Sequence, residues 1–153
     1  MSEDWRVTRF LAIAAALATL AIASPASAQA GRRCRNISVT ALAFGNYDVF
    51  NATPTDSAGS ITYRCSNGLS PTVTISLGLA PSGGQRRMSR SGGGDWLAYD
   101  IFVDAARTTV WSSTPVPVAT GGTRTIPYYA RTYALQDVSV GAYTDTLVVT
   151  FIF

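Results

Sequence analysis

The chain has 153 residues and a formal net charge of +3, and all 12 of its basic residues are arginine. It contains no histidine, which excludes a Ser-His-Asp or Cys-His triad and any histidine-ligated metal site. The only glutamate is Glu3, so proton transfer by the rest of the chain is left to aspartate, tyrosine and the two cysteines.

The first 28 residues have the three parts of a secretory signal peptide. Two arginines lie in the first nine residues, residues 10–22 are apolar apart from one threonine, and residues 26–28 read Ala-Ser-Ala, a small-residue cleavage site. A second cut after Ala23 stays open. A membrane anchor is the alternative, but the apolar run is shorter than the roughly 20 residues that a bilayer requires. We expect cleavage before Gln29 and one mature domain, residues 29–153, without a membrane span.

Both cysteines, Cys34 and Cys65, lie in the mature part. An exported chain enters an oxidising compartment, where an even pair of thiols usually forms a disulfide. We therefore predict a Cys34–Cys65 bond that joins the first strand to a later one. Two thiols without histidine cannot complete a tetrahedral site, so no metal is predicted.

Apolar residues alternate with polar ones along most of the mature chain, as expected for β-strands. Residues 36–44 change their apolar row near Ala41, which predicts a bulge or a strand switch there. Ile61, Tyr63 and Cys65 form the inward row of the next strand. A further strand follows at residues 71–80 after an Asn-Gly pair, and we interpret the two strands as a hairpin or meander.

Further strands are predicted at residues 96–103, 108–111, 125–135 and 141–153, with turn-forming residues between them. No window of eleven or more mature residues has the helical period. Seven or so short strands with a turn every eight to twelve residues predict an all-β sandwich.

The last thirteen residues contain an apolar row of their own, which consists of Leu147, Val149, Phe151 and Phe153. A strand at this point either is buried in its own sandwich or presents an edge to a neighbour. We predict that these four residues form the core or the wall of a strand-exchange cleft.

Carboxylate catalysis has little support, and no catalytic residue is predicted. Asp100 and Asp104 are the nearest pair, but four residues of a strand separate them by about 13 Å. We expect Asp104 and Arg107 to form an ion pair at a turn. The arginine groups at residues 32–35 and 86–90 lack a recognition helix, so they predict solvated charge and no nucleic-acid partner; weak contact with an anionic surface is the alternative.

The aromatic residues point to glycan binding as an alternative function. A free secreted sandwich that binds glycans would use such side chains, although core packing is their commoner role. The candidates are Tyr63, Trp96, Tyr99, Trp111, Tyr128, Tyr129 and Tyr133.

Three blocks are specific in combination: FGNYDVF at residues 44–50, YDIFVDAARTTVW at 99–111 and GAYTDTLVVTFIF at 141–153. Together with the two cysteines they resemble the spore coat protein U domain of secreted bacterial proteins, over essentially all of the mature chain. The resemblance implies an immunoglobulin-like, pilin-like sandwich that lacks one strand.

The resemblance also implies a role without a cofactor, as a pilus subunit of the archaic chaperone-usher type in surface attachment and biofilm formation, or as a spore coat component. The implied partners are a periplasmic chaperone, which lends the missing strand first, an outer-membrane usher, and other pilus subunits. The implied route leads through the periplasm to the cell surface or the medium.

A donor strand needs several alternating apolar residues before Cys34, whereas residues 29–33 read QAGRR. We therefore expect that this chain does not donate a strand to another subunit in the usual way. A terminal subunit, a cap, a coat component and a sandwich that completes itself all remain open.

Overall fold

The computed structural model describes residues 33–153, so the predicted signal peptide lies outside the described residues. Within residues 33–153 the chain forms β-strands and no helix, and hence no apolar helix that could span a bilayer. The strands are β1 (Cys34–Val39), β2 (Thr55–Cys65), β3 (Thr72–Ile75), β4 (Arg86–Arg90), β5 (Trp96–Phe102), β6 (Val116–Pro117), β7 (Arg124–Thr132), β8 (Tyr143–Thr144) and β9 (Val149–Ile152).

The strands form two antiparallel sheets, one of six strands in the order β1-β2-β7-β5-β4-β8 and one of three in the order β6-β3-β9. Side chains from both sheets meet in one apolar core, which contains Ile61 and Ile101 from the large sheet and Val73 and Ile75 from the small one. The predicted all-β sandwich is therefore confirmed.

The inward rows of the central strands agree with their sequence pattern. In β2, Ile61, Tyr63 and Cys65 are fully buried, and in β5 the same holds for Tyr99 and Ile101. Both strands lie inside the large sheet, so one face of each packs on the core and the period of two is strong.

The predicted hairpin of β2 and β3 is wrong, because the two strands belong to different sheets. After Cys65 the chain crosses the core, and Pro71 is buried at the end of this crossing. The partners of β2 are β1 and β7, with Ile61 opposite Ile126.

The predicted last strand is two short strands. β8 pairs with β4 at the edge of the large sheet, whereas β9 pairs with β3 in the small sheet. The chain changes sheets between them, where Asp145 accepts hydrogen bonds from the backbone amides of Leu79, at 2.9 Å, and Thr146, at 2.8 Å.

The irregularity of β1 comes earlier than the predicted bulge near Ala41. The register against β2 shifts between Arg35 and Ser38, and Asn36 adopts a φ of 53° there. β1 ends at Val39, and beyond it Leu42 and Phe44 pack against the core without belonging to a strand.

Candidate functional site

β9 has an open edge. It pairs with β3 on one side, and no strand among residues 33–153 pairs with its other side. The amide of Ser76 donates to the carbonyl of Val148 at 2.9 Å, which makes these two residues a hydrogen-bonded pair. Because such pairs alternate along an antiparallel ladder, the peptide groups of Val149 and Phe151 point away from β3, towards the open edge.

The open edge borders a mainly apolar cavity of about 440 Å³. Its floor consists of buried core residues, among them Ile75 and Ile101, and its walls are residues 39–44 on one side and residues 143–149 on the other. A second cavity of about 590 Å³ shares Leu42, Phe44, Met88 and Tyr143 with the first. We call the two together the groove.

The predicted wall residues differ in their placement. Leu147, Val149 and Phe151 are partly buried against the core, and the ring of Phe151 lies 5.0 Å from that of Tyr63. Phe153 lies outside this row of contacts, with 58% of its surface exposed. The strand-exchange role of all four residues stays a prediction.

Hydrogen bonds from two strands of the large sheet fix the wall at residues 39–44. Tyr128 donates its hydroxyl hydrogen bond to the carbonyl of Thr40, and the hydroxyl of Ser57 donates to the carbonyl of Ala43 at 2.9 Å. The ring of Tyr128 lies over Gly59, where an added Cβ would come within 2.6 Å of the ring. Glycine at this position lets the tyrosine reach the wall.

The same wall is held at its start by the predicted disulfide. Cys34 and Cys65 are direct partners in the register of β1 and β2, and their sulfur atoms are bonded. β1 is an edge strand, so this bond attaches the segment that leads into the groove wall to a central strand.

The opposite wall is held by Asp145. The hydroxyl of Tyr99 donates to its carboxylate at 2.7 Å, and the amide of Leu79 donates to it at 2.9 Å. The pKa of Tyr99 is raised well above its ordinary value. The main cause is burial of the hydroxyl, and its hydrogen bond to Asp145 is a further cause. Gly78 packs so closely on this carboxylate that a Cβ there would lie 1.9 Å from it.

Arg86 links the two sheets beneath the groove. Its Nε donates to the carbonyl of Ser76 at 2.9 Å and its Nη2 to that of Ile75 at 3.0 Å. The side chain is fully buried, which corrects the prediction of solvated charge at this position. Burial lowers the pKa of the Arg86 guanidinium.

The aspartates considered for catalysis have structural contacts. Asp104 accepts hydrogen bonds from the amides of Thr108 and Thr109, and Asp100 accepts one from the hydroxyl of Tyr133. The expected Asp104–Arg107 ion pair is wrong, because Arg107 pairs with Asp56 at 3.3 Å. Within residues 33–153 no group of three acidic, cysteine or histidine side chains could hold a metal ion.

The aromatic residues considered for glycan binding lie mainly in the core, where Tyr63, Tyr99, Trp111 and Tyr128 are buried. Trp96 is half-exposed, and the guanidinium of Arg87 lies 4.9 Å from the centre of its ring. Tyr129 is partly buried, with a guanidinium 5.7 Å from its ring. Four of the seven candidates therefore lie in the core, and Trp96 is the most exposed of the seven.

The fold and groove can be compared with known proteins. The model of the spore coat protein U domain matches residues 17–150. The chain belongs to this family. No curated protein sequence matches the chain.

Among solved structures, this family member is similar to a chain of the pre-assembly complex between the chaperone CsuC and the tip adhesion subunit CsuE. That complex comes from archaic chaperone-usher Csu pili of Acinetobacter baumannii. The identity is 27% and the TM-score 0.55, over 80% of this chain and 40% of that one. A match to the P pilus rod subunit PapA has 14% identity and a TM-score of 0.49, over 76% of this chain and 97% of that one.

Proposed function

We propose that the chain is a structural subunit of a chaperone-usher pilus and that its sandwich accepts a β-strand from a partner protein. The observation that carries this proposal is the open edge of β9 beside the apolar groove. Recognition of an added strand requires unpaired peptide groups and inward apolar side chains. Val149 and Phe151 provide both.

The groove defines the chemistry of the strand that it takes. Main-chain hydrogen bonds to Val149 and Phe151 attach any extended segment, irrespective of its sequence. Side chains on one face of that segment enter an apolar space between residues 39–44 and residues 143–149. The accepted strand therefore has apolar residues at alternate positions and polar residues between them.

The family and the Csu complex support the proposed partners. That complex joins a chaperone to a pilus subunit before assembly. We infer that a periplasmic chaperone, an outer-membrane usher and other pilus subunits are the partners of this chain. We further infer that residues 1–28 are its export signal, that residues 29–153 are the mature domain, and that the mature chain passes through the periplasm to the cell surface.

The role is mechanical and not catalytic. The groove walls carry threonines, tyrosines and one aspartate, and that aspartate already accepts hydrogen bonds from Tyr99 and Leu79. A mainly apolar cleft whose one carboxylate is already hydrogen-bonded is suited to binding a strand.

The first test is complex formation with the chaperone in an oxidising periplasm. We expect a one-to-one complex of the wild-type chain by size-exclusion chromatography with light scattering. Val149→Arg places a charge in the groove and abolishes the complex, whereas Thr150→Arg, on the exposed face of the same strand, leaves it intact.

A second measurement covers the case in which Val149→Arg does not fold. A synthetic peptide of alternating valine and threonine is mixed with the wild-type chain and followed by hydrogen exchange. We expect added protection of the amides of Val149 and Phe151, and none with a peptide that has proline at every second position. A stable wild-type monomer that takes neither chaperone nor peptide would show that the sandwich completes itself and that the proposal is wrong.

A further inference from the structure

The outer face of the large sheet carries exposed arginines beside the disulfide. Arg64 lies between two buried residues of β2, so its side chain points away from the core. Arg35 is its direct partner in β1 and points to the same side. The ladder continues to Arg33, whose carbonyl accepts a hydrogen bond from the amide of Ser66 at 3.2 Å. We call Arg33, Arg35 and Arg64, which are all exposed, the arginine cluster.

No carboxylate balances the charge of the arginine cluster. The ion pairs found within residues 33–153 involve other arginines, namely Arg90, Arg107 and Arg131. Asp56 is the only acidic residue in β1, β2 and β7, the three strands at this side of the sheet. It lies eight residues from Arg64, which is about 26 Å along β2.

The arrangement of the arginine cluster is unfavourable for the chain alone. Arg35 and Arg64 are like charges directly opposite each other on neighbouring strands, and such pairs reduce stability. A guanidinium binds a carboxylate through two parallel N–H···O bonds, so a carboxylated partner would replace this repulsion by attraction.

Hydroxyl groups adjoin the arginine cluster on the same face. Thr62 precedes Arg64 by two residues in β2, so the two side chains project to the same side. Ser38 lies opposite Thr62 on β1, and Thr125 lies opposite it on β7. The hydroxyl oxygens of Thr62 and Thr125 are 3.1 Å apart. Three guanidinium groups and three hydroxyls therefore share one side of three adjacent strands.

We propose that this face binds an acidic polysaccharide, with the arginine cluster on its carboxylates and the hydroxyls of Ser38, Thr62 and Thr125 on its sugar hydroxyls. A chain of uronic acids carries a carboxylate on each sugar, so one polymer can engage several guanidinium groups at once. The face lies on the side of the sheet away from the core, whereas the floor of the groove consists of core residues. The inference therefore does not rest on strand acceptance.

The residues around the arginine cluster favour a sugar polymer over other anions. Single-stranded nucleic acid needs aromatic side chains on which its bases stack, and none is present among the cluster and its three hydroxyl neighbours. A lipid surface needs apolar side chains that enter the bilayer, and these neighbours are serine and threonine. Hydroxyls beside guanidinium groups match a partner that carries both hydroxyls and carboxylates.

The test is calorimetric titration of the full-length chain, purified from an oxidising periplasm, with alginate. We expect binding at low ionic strength that weakens as salt is added, and no binding of uncharged dextran. Arg35→Gln/Arg64→Gln weakens alginate binding by roughly ten-fold, since each exposed charge contact changes Kd by about two- to five-fold. The variant stays folded, because it removes a repulsive pair, and circular dichroism checks this.

The matched control is Thr74→Glu/Thr150→Glu. It lowers the net charge by the same two units, at two directly opposite positions of the small sheet. We expect its affinity for alginate to stay within about two-fold of the wild-type value, because its charges are far from the arginine cluster and screened by salt.

Thr62→Val separates a sugar partner from any other polyanion. It removes one hydroxyl of this face without changing charge. We expect it to weaken alginate binding by about three-fold, the usual effect of one exposed hydrogen bond. Binding of polyacrylate, which has carboxylates and no hydroxyls, should not change.

Four outcomes would overturn the inference. A wild-type chain that does not bind alginate has no such site, and equal weakening by the two charge variants would show that net charge alone acts. An unchanged affinity of Thr62→Val for alginate would show that any polyanion suffices. Binding to vesicles of phosphatidylglycerol without binding to alginate would assign the arginine cluster to a lipid surface. Chaperone binding by Arg35→Gln/Arg64→Gln, measured in parallel, reports on the groove alone.

Discussion

The hydroxyl of Tyr99 lies 2.7 Å from the carboxylate of Asp145, and this hydrogen bond joins β5 to the segment in which the chain passes from one sheet to the other. Asp145 also holds the loop after β3 through Leu79. One carboxylate therefore positions the start of the last strand relative to both sheets.

Removing the Tyr99 hydroxyl tests how much its hydrogen bond to Asp145 stabilises the fold. We expect Tyr99→Phe to lower the free energy of unfolding by about 1–2 kcal/mol, because Asp145 loses a donor in a partly buried site. Tyr143→Phe is the matched control, since the hydroxyl of Tyr143 donates to the carbonyl of Ser139 on the surface, and its loss costs about 0.5 kcal/mol or less. Urea denaturation measures both; equal costs would contradict the role of Asp145.

Gly78 allows the approach of Asp145, and its substitution should be costly. It has a φ of +85°, and a Cβ there would lie 1.9 Å from the carboxylate. Gly83 has a φ of +57° with nothing within 4 Å of the same position. We expect Gly83→Ala to cost about 1 kcal/mol from the backbone alone and Gly78→Ala about 3 kcal/mol. Thermal unfolding distinguishes the two variants. A similar loss of stability for both would show that the close approach of Gly78 to Asp145 does not affect stability.

The disulfide should stabilise the groove wall more than the rest of the sandwich. Replacing both cysteines by serine opens a loop of 31 residues, which we expect to cost about 3–4 kcal/mol. Hydrogen exchange should rise first at residues 34–44 and last in β5. Reduction of the wild-type chain serves as the control that involves no substitution. Uniform loss of protection would show that the bond acts on the whole fold.

Stability should fall in acid and be flat near neutrality. The hydrogen bond from Arg131 holds the pKa of Asp56 below its ordinary value, and the nearby Arg107 contributes to the shift. A lowered folded-state pKa means that the stabilisation is complete above the unfolded pKa of about 4 and is lost as the pH falls through the folded value. Because the chain has no histidine, no side chain with an ordinary pKa titrates between pH 5 and 8.

Thermal midpoints measured from pH 2 to 8 check this prediction. Asp56→Asn should be less stable than the wild-type chain at pH 7, and the difference should shrink below pH 4. A wild-type midpoint that changes steeply between pH 5 and 8 would contradict the assignment, since it would require a titrating group that the ordinary values do not supply.

The strands that could be predicted from sequence are those whose pattern is determined by burial of one face. Ile61 and Tyr63 in β2 and Tyr99 and Ile101 in β5 alternate because the core lies on one side of a central strand. Strand partners could not be predicted in this way. The Asn-Gly pair after Cys65 is typical of a hairpin, but the chain uses it to begin a crossing between sheets, and the local sequence does not encode that difference.

The groove as a whole could not be predicted from local sequence patterns for a similar reason. Its two walls, residues 39–44 and residues 143–149, are about a hundred positions apart and meet only in the fold. Arg86 shows a further limit. It shares its row in β4 with Met88, which is a sign of an inward position, but its charge argued for solvent; two backbone carbonyls of the facing sheet make its burial acceptable.

The direction of β9 has a mechanical consequence. β9 runs along the length of the sandwich towards the Cys65 end of β2, where the ring of Phe151 lies 5.0 Å from that of Tyr63. A strand bound beside it lies along the same line, so tension between the two ends pulls that strand along its own length. Its backbone hydrogen bonds then carry the load together and must break together, whereas a partner that lifts one end of the strand breaks them one at a time. Such a junction resists stretching and still permits stepwise exchange.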